Sequence, residues 1–355
     1  MKIASALIYI SILTSCTQAS AKNSLQQYYD AVHHANVLIC KGDFEGANKV
    51  FNAGLKLTKY PFYTDINNAI FAQVNSKSPD TSKIVSYLKM LQHKGICVHE
   101  EYEKRDKFRP FLGLVKEAEC HKVVNTAARK SVQDAIELDQ KPRKDTRGTE
   151  HPAVQSEMRH VDSFNYGLVR KILIEAENKN IPIENLIGND ASTSLFTLIQ
   201  HNASWGRLDR FQIERLIIKG VLEASSTASN LDYFYKIGYI KKDKDVCDQY
   251  GLYGNSILLL VYISGPYKPA FISKLSKECY ASISKNRKKM YLPDVLEEAK
   301  VRAFAFYNFR FGFLYDTNMI AMSREDADAM EKELSSKTKI IKYAGKEDFD
   351  FNREY

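Results

Sequence analysis

The chain has 355 residues, 44% of them hydrophobic, which is long and apolar enough for two domains of ordinary size, each with its own core. Its formal net charge of +8 is spread along the chain, and six cysteines include no CxxC pair, which excludes a zinc knuckle and a thioredoxin-type dithiol. The one dense basic run, Lys285-Asn286-Arg287-Lys288-Lys289, reads as a solvated helix end or loop, or else as a contact for anionic headgroups or glycans.

At the N-terminus Lys2 precedes the apolar stretch Ile3 to Leu13, and small polar residues follow, which is the order of a secretory signal. The stretch is too short to span a bilayer, for which about 20 apolar residues are needed. Leu13-Thr14-Ser15-Cys16 resembles the lipobox of bacterial lipoproteins, in which cleavage leaves the cysteine first and its sulfur carries a diacylglyceryl group. Ala19-Ser20-Ala21 resembles an ordinary secretory site, with cleavage before Lys22. The lipobox is preferred because the cysteine stands directly after the apolar core. That choice makes 1–15 a signal peptide, Cys16 the lipidation site, 16–27 a tether and the membrane a partner through the N-terminal lipid. The implied location is the bacterial cell envelope, lipid-anchored, or otherwise periplasmic or secreted, where nucleic acid is not an expected partner. An oxidising envelope permits one or two disulfides among Cys40, Cys97, Cys120, Cys247 and Cys279, with Cys97 and Cys120 nearest in sequence; buried free thiols are the other reading.

From Tyr28 onward the apolar spacing predicts helices. Ala31, Ala35 and Leu38 share one face, Lys41-Gly42-Asp43 breaks the pattern, and Phe44, Ala47, Phe51 and Leu55 resume it. This stretch resembles a tetratricopeptide repeat, with Gly42-Asp43-Phe44 at the inter-helix turn and Ala47 and Phe51 as the small and large packing residues of the second helix. A degenerate copy lies 37 residues on, where Ala72, Asp80, Ile84 and Leu88 answer Ala35, Asp43, Ala47 and Phe51. A third helical pair is expected near Asp106 to Val124. The resemblance implies a protein or peptide partner at these helices, with a plain array of helical hairpins as the alternative.

Gln140 to Arg159 is polar, carries two prolines and reads as a long exposed loop. Helical patterns resume with Asp162 as a cap, followed by a helix to about Asn178, a break at Ile181-Pro182 and a helix from Ala191 to His201. A further helix is expected from Asp209 to Val221, one from Pro293 to Phe309 and a last one capped by Ser323. Ser256 to Ile263, SILLLVYI, fits a buried strand or a buried helical segment equally. The fold class is therefore all-α: tetratricopeptide-like hairpins over 28–125, a second helical domain over 126–320, and a C-terminal helix and tail over 321–355.

Asp139-Gln140-Lys141-Pro142-Arg143, Gln200-His201, Leu231-Asp232 and Gln249-Tyr250-Gly251 stand out as polar pieces in a fixed order. With Asp162 and Asn165 they resemble, over about 130–315, an uncharacterised bacterial helical domain family whose pattern runs DQxxR, DxxN, GxP, QH, LDR and QxYGT. Ile181-Pro182 lacks the glycine of that pattern, Tyr233 replaces its arginine and Leu252 its threonine. The resemblance implies architecture and brings no known activity. The candidate polar site is Asp139, Gln140, Arg143, Asp162, Asn165, His201, Asp232, Gln249 and Tyr250. In such a cleft His201 could move protons with a carboxylate fixing its tautomer, and Arg143 could hold an anion. The opposing reading pairs Asp139 with Arg143 locally and lets His201 finish its helix.

The chain has no GxSxG, HExxH or phosphate-binding glycine loop, so neither a nucleophile nor a cofactor is implied. No metal site is expected, and Cys97-Val98-His99-Glu100 is the only local cluster of ligand types. Two functions remain: a membrane-tethered envelope protein that binds or scaffolds through its helices, or an envelope hydrolase or transferase built on Asp139, Arg143 and His201.

Overall fold

The computed structural model describes residues 24–116 and 123–203, then 205–207, 211–236, 249–251, 258–262, 270–273, 276–308, 313–314, 319–321 and scattered positions from 323 to 341. Cys16, Cys120, Cys247 and Leu252, and the side chain of Tyr233, lie outside what is described.

The first helices follow the expected hairpins. Helix α1 (24–40) turns at Gly42, whose φ of +77° suits glycine, and Asp43 caps α2 (Phe44–Gly54) by accepting the Gly46 amide at 2.8 Å. A Cβ on Gly54 would meet the Cβ of Ala31 at 2.8 Å, so the small residue lets α2 lie close on α1. In the second hairpin, α3 (Tyr63–Asn75) and α4 (Thr81–Gln92), Asp80 repeats the cap on the Lys83 amide. Ala35 and Ala72, Ala47 and Ile84, and Phe51 and Leu88 are all buried, so each pair related by the 37-residue shift plays the same packing role. Short helices α5 (Val98–Tyr102) and α6 (Arg109–Leu112) follow; only α6 lies within Asp106 to Val124, where a third helical pair was expected, and part of that range lies outside the described residues.

The expected loop from Gln140 to Arg159 is a correction. Helix α7 (Thr126–Arg143) and helix α8 (Pro152–Lys179) occupy most of it, leaving a turn over 144–151. Pro142 sits in the last turn of α7, where a missing N–H costs one hydrogen bond, and Pro152 is the first residue of α8, where it costs none. Asp162 accordingly lies within α8 and caps nothing; His151 is the N-cap, and Asn180, in the left-handed region, ends the helix before Ile181-Pro182.

Next come α9 (Ile183–Ile187), α10 (Asn189–Ala203), α11 (Ile213–Ile218), α12 (Ala224–Lys236), α13 (Lys277–Lys289) and α14 (Val295–Asn308). Ser323 accepts the Asp326 amide at 3.1 Å, the cap expected of it. The basic run forms the C-terminal turn of α13, a place that favours cations, but Arg287 turns inward and is 1% exposed.

The all-α class holds for the body of the fold, and a small sheet is added to it. Strands β1 (Leu258–Tyr262), β2 (Ala270–Ser273), β3 (Met319–Ala321) and β4 (Thr338–Ile341) lie in the order β3-β1-β2-β4. Leu259 of β1 pairs antiparallel with Phe271, Val261 pairs in parallel with Ile320, and Phe271 pairs antiparallel with Ile340. The ambiguous apolar run is thus a central strand, where uninterrupted apolar sequence is expected.

One apolar core runs from Tyr28 to Phe313 through both halves. Polar contacts join them as well: Lys94, 2% exposed, reaches from beyond α4 to Glu184 at 2.7 Å and Asn185 at 2.8 Å on α9, and the Tyr63 amide donates to Glu184. Among the described residues no helix is long and apolar enough to cross a membrane.

Candidate functional site

Three helices place the first group of predicted site residues. On α7, Val132, Ala135 and Asp139 share the buried stripe; on α8, Asp162 and Asn165 stand on the stripe that continues as Val169, Ile172 and Ala176; on α10, His201 follows Leu195 and Leu198 toward the helix end. Because α7, α8 and α10 pack against one another, carboxylates and imidazole meet where the stripes turn polar.

The Arg143 guanidinium joins them. Its Nη2 donates to both oxygens of Asp162 at 2.9 Å, and its Nη1 reaches Asp139 Oδ1 at 3.0 Å and donates to the Asp139 carbonyl at 2.8 Å. His201 Nδ1 lies 2.8 Å from Asp139 Oδ2, and Gln140 Nε2 donates to that same oxygen at 2.9 Å. Both carboxyl groups are fully buried, Arg143 is 15% exposed and His201 25%. Burial pushes the Asp162 carboxyl above its ordinary range against the opposing pull of the Trp205 and Arg143 hydrogen bonds, and nearby Asp139 adds to the rise.

Trp205 was not foreseen. Its indole Nε1 donates to Asp162 Oδ2 at 2.5 Å, and Arg159 lies over its ring. It is the only tryptophan of the chain and stands four residues after His201, a spacing that could have flagged it. Asn165 is fully buried, and neither its Nδ2 nor its Oδ1 makes a hydrogen bond.

Asp139, Asp162 and His201 each offer a ligand atom within 4.8 Å of the others, a spacing that could suit a cation. Arg143 already bridges the two carboxylates and supplies the charge that a metal would. The other cluster of ligand types dissolves: Cys97 is in a disulfide, and His99 Nε2 faces the Val115 carbonyl at 3.0 Å.

Asp232, Gln249 and Tyr250 form a different network. The Tyr250 amide donates to Asp232 Oδ1 at 2.8 Å, its hydroxyl donates to Glu214 Oε1 at 2.8 Å, and Gln249 Nε2 reaches the Tyr250 hydroxyl at 3.2 Å. Arg287 donates to the Tyr250 carbonyl at 2.6 Å and binds Glu298, which Arg302 also holds at 3.1 Å. Burial pushes the Glu298 carboxyl up, but Arg287 and Arg302 outweigh it and hold it at about 2. Eight of the nine predicted residues therefore divide between two networks, Asn165 bonding to neither, and the second draws in Glu214, Glu298 and Arg302, which the sequence did not single out, and Arg287, which it read only as part of a basic run.

Cys97 and Cys279 are in disulfides, whereas Cys40 is a buried thiol whose pKa burial raises. Compared with known proteins, the chain matches no family model, no curated protein and no solved structure.

Proposed function

We propose that this chain is an exported, lipid-tethered envelope protein that works by binding through its helical body. The observation that carries the address is that Cys97 and Cys279 are each disulfide-bonded, because disulfides persist in oxidising compartments outside the cytoplasm. It agrees with the sequence order of Lys2, an apolar stretch and the lipobox ending at Cys16, and makes the membrane the partner of the N-terminal lipid. Repeated hairpins α1–α2 and α3–α4, with their resemblance to tetratricopeptide repeats, support a protein or peptide partner at the N-terminal helices. Binding is favoured over chemistry because the side-chain oxygens of Asp139 and Asp162 all face Arg143, His201, Gln140 or Trp205. The test is intact mass of the protein from membranes. A diacylglyceryl increment present in the wild type and absent in Cys16→Ala is expected; a soluble wild-type form starting at Lys22 overturns the tether.

One observation favours the second reading, an envelope hydrolase or transferase around Asp139, Arg143 and His201. His201 Nδ1 lies on a buried carboxylate while a quarter of its side chain remains exposed, the arrangement by which a carboxylate fixes an imidazole tautomer for proton transfer. Under that reading His201→Ala abolishes turnover without lowering stability.

A further inference from the structure

Two clefts meet where α1 and α3 face α9, α10 and α12. The larger, about 350 Å³, is lined by Phe62 and Phe196 and by Ser192, Thr197, Gln200 and Asn230. The smaller, about 60 Å³, is lined by Tyr29, His33 and Tyr291. Thr64, Glu223 and Ser226 line both, so the two chambers are adjacent and share a wall. The larger chamber is within the range of small-molecule pockets, roughly 300 to 1,000 Å³.

We propose that this double cleft binds an uncharged, hydroxyl-rich ligand, a hexose unit of a glycan; the proposal rests on reading the chain as a binding protein and names its ligand class. Charge is the first reason. Among the described residues neither chamber is lined by a lysine or arginine, which disfavours phosphates and carboxylates. Of the acids in the walls, Glu184 is paired with Lys94, burial pushes the Asp65 carboxyl up to about 8, toward its neutral form, and Glu223, which lines both chambers, accepts from the Ser225 and Ser226 amides and the Ser226 hydroxyl.

The second reason is hydrogen-bond polarity. Ser192 donates its proton to the Asn189 carbonyl, Thr197 to the Thr193 carbonyl and Ser226 to Glu223, while Gln200 donates to Asn230. With those protons engaged, the hydroxyls keep oxygen lone pairs to offer, and such a wall suits a ligand rich in donors. In the smaller chamber the reverse holds. The buried Tyr29 hydroxyl makes no hydrogen bond, although the Ala224 amide approaches it, and His33 Nδ1 is also buried without a partner. Buried polar atoms are nearly always paired in native proteins, and two exceptions in the wall of one chamber point to a ligand that both donates and accepts.

The third reason is an aromatic row. Tyr291 has a φ of +59°, just past the end of α13, where helices usually place glycine. Its ring stacks on Tyr29 at 5.8 Å, and Tyr29 stacks on Phe62 at 6.1 Å, so the row runs from the smaller chamber to the larger. Strained backbone is retained where the surroundings hold it for a purpose, and here it fixes the aromatic wall shared by the two chambers. The Gln200-His201 dipeptide thus serves two places: Gln200 lines this cleft, and His201 joins Asp139.

The test is calorimetry and saturation-transfer NMR on the purified full chain with tri-N-acetylchitotriose and maltotriose, using putrescine and inorganic phosphate as charged probes. A saccharide is expected to bind, about tenfold more weakly in Gln200→Ala and in Phe196→Ala. Arg147→Ala, in the exposed turn between α7 and α8, should bind as the wild type does. Tyr29→Phe keeps the ring stack and removes only the unpaired hydroxyl, so it should melt no lower than the wild type and still lose saccharide affinity. Binding of putrescine or phosphate without saccharide, binding of none of the four probes, or saccharide binding that all three cleft variants leave unchanged overturns the proposal. Such a failure leaves the mass test at Cys16 and the stability test at His201 standing, so it is distinguishable from a failure of the binding-protein reading.

Discussion

Two buried charge networks in this chain use the same ingredients in opposite proportion. In one, Asp139 and Asp162 share the single guanidinium of Arg143, with His201 at the edge; in the other, Glu298 alone is shared by Arg287 and Arg302. Burial pushes the carboxyl upward in both places. Two arginines outweigh it at Glu298 and hold that group at about 2, whereas at Asp162 the Trp205 and Arg143 hydrogen bonds do not, and the carboxyl stays above its ordinary range. The local ratio of charges, more than the depth of burial, decides whether a buried carboxylate is locked as an anion. Glu298 is locked, and Asp162 is poised closer to protonation.

The largest effect should come from breaking the locked network. Glu298→Ala leaves two nearly inaccessible arginines without their anion and is expected to cost about 3 to 5 kcal/mol at pH 7 in urea unfolding. The sign with pH follows from linkage: a carboxyl lowered on folding contributes stability above its unfolded pKa and loses it as pH falls toward about 2. The gap between wild type and variant should therefore narrow below about pH 4.5. A gap independent of pH would show that packing, and not charge, is what Glu298 supplies.

Arg143→Met tests the poised network, and its cost should also shrink on acidification but at higher pH. Removing the cation leaves two buried carboxyl groups that can relieve themselves by taking up protons, so a cost of about 2 to 4 kcal/mol at pH 8 should shrink at pH 5. A carboxyl raised on folding stabilises most fully below its unfolded pKa and loses that contribution as pH rises. If the cost of Arg143→Met stayed flat from pH 8 to pH 5 and fell only below about pH 4.5, as expected of Glu298→Ala, the contrast between the networks would collapse.

His201 sharpens the comparison further. It sits in the last turn of α10, where a cation suits the helix dipole, and touches Asp139. As a structural residue, His201→Ala should cost about 0.5 to 2 kcal/mol, and His201→Gln, which keeps a donor and similar volume, should recover much of it. An alanine variant that melts as high as the wild type or higher would favour the catalytic reading, since active sites store unfavourable polar crowding.

How far these features were legible in the sequence depended on how local their causes are. The turn at Gly42-Asp43 and its copy at Asp80 act within a few residues, and the hairpins they imply are present, with both aspartates serving as caps. Pro142 and Pro152 were misread as marks of a loop because proline breaks a helix interior yet suits its first turn, and which position it holds depends on a boundary that the sequence leaves soft. Asp139, Arg143, Asp162 and His201 were foreseen together and do meet. Asp232, Gln249 and Tyr250 were grouped with them by order along the chain, which carries no distance. The double cleft was invisible for another reason: serines, threonines and amides on separate helices have no distinctive spacing until tertiary packing brings them to one wall.

The smallest predicted effect concerns the neighbour of Asp162 one turn along α8. Asn165 is as deeply buried as Asp162, but where Asp162 is hydrogen-bonded through both oxygens, Asn165 makes no hydrogen bond at either end of its amide. A buried amide without partners forfeits its hydration and receives nothing in return, a penalty of about 1 to 3 kcal/mol for each unsatisfied group. Leucine has similar volume and no polar atoms, so Asn165→Leu should be neutral or stabilising by about 1 kcal/mol, some of the gain being lost to imperfect packing of the branched end. Asp162→Leu on the same face should destabilise, because it deprives Trp205 of its acceptor and Arg143 of one of its two carboxylates. Urea unfolding of the two variants under one condition decides it. A clear loss of stability in Asn165→Leu would mean that the amide is engaged in the folded protein, extending the poised network by one turn of helix and making Asn165 the first position to probe for a bound polar ligand.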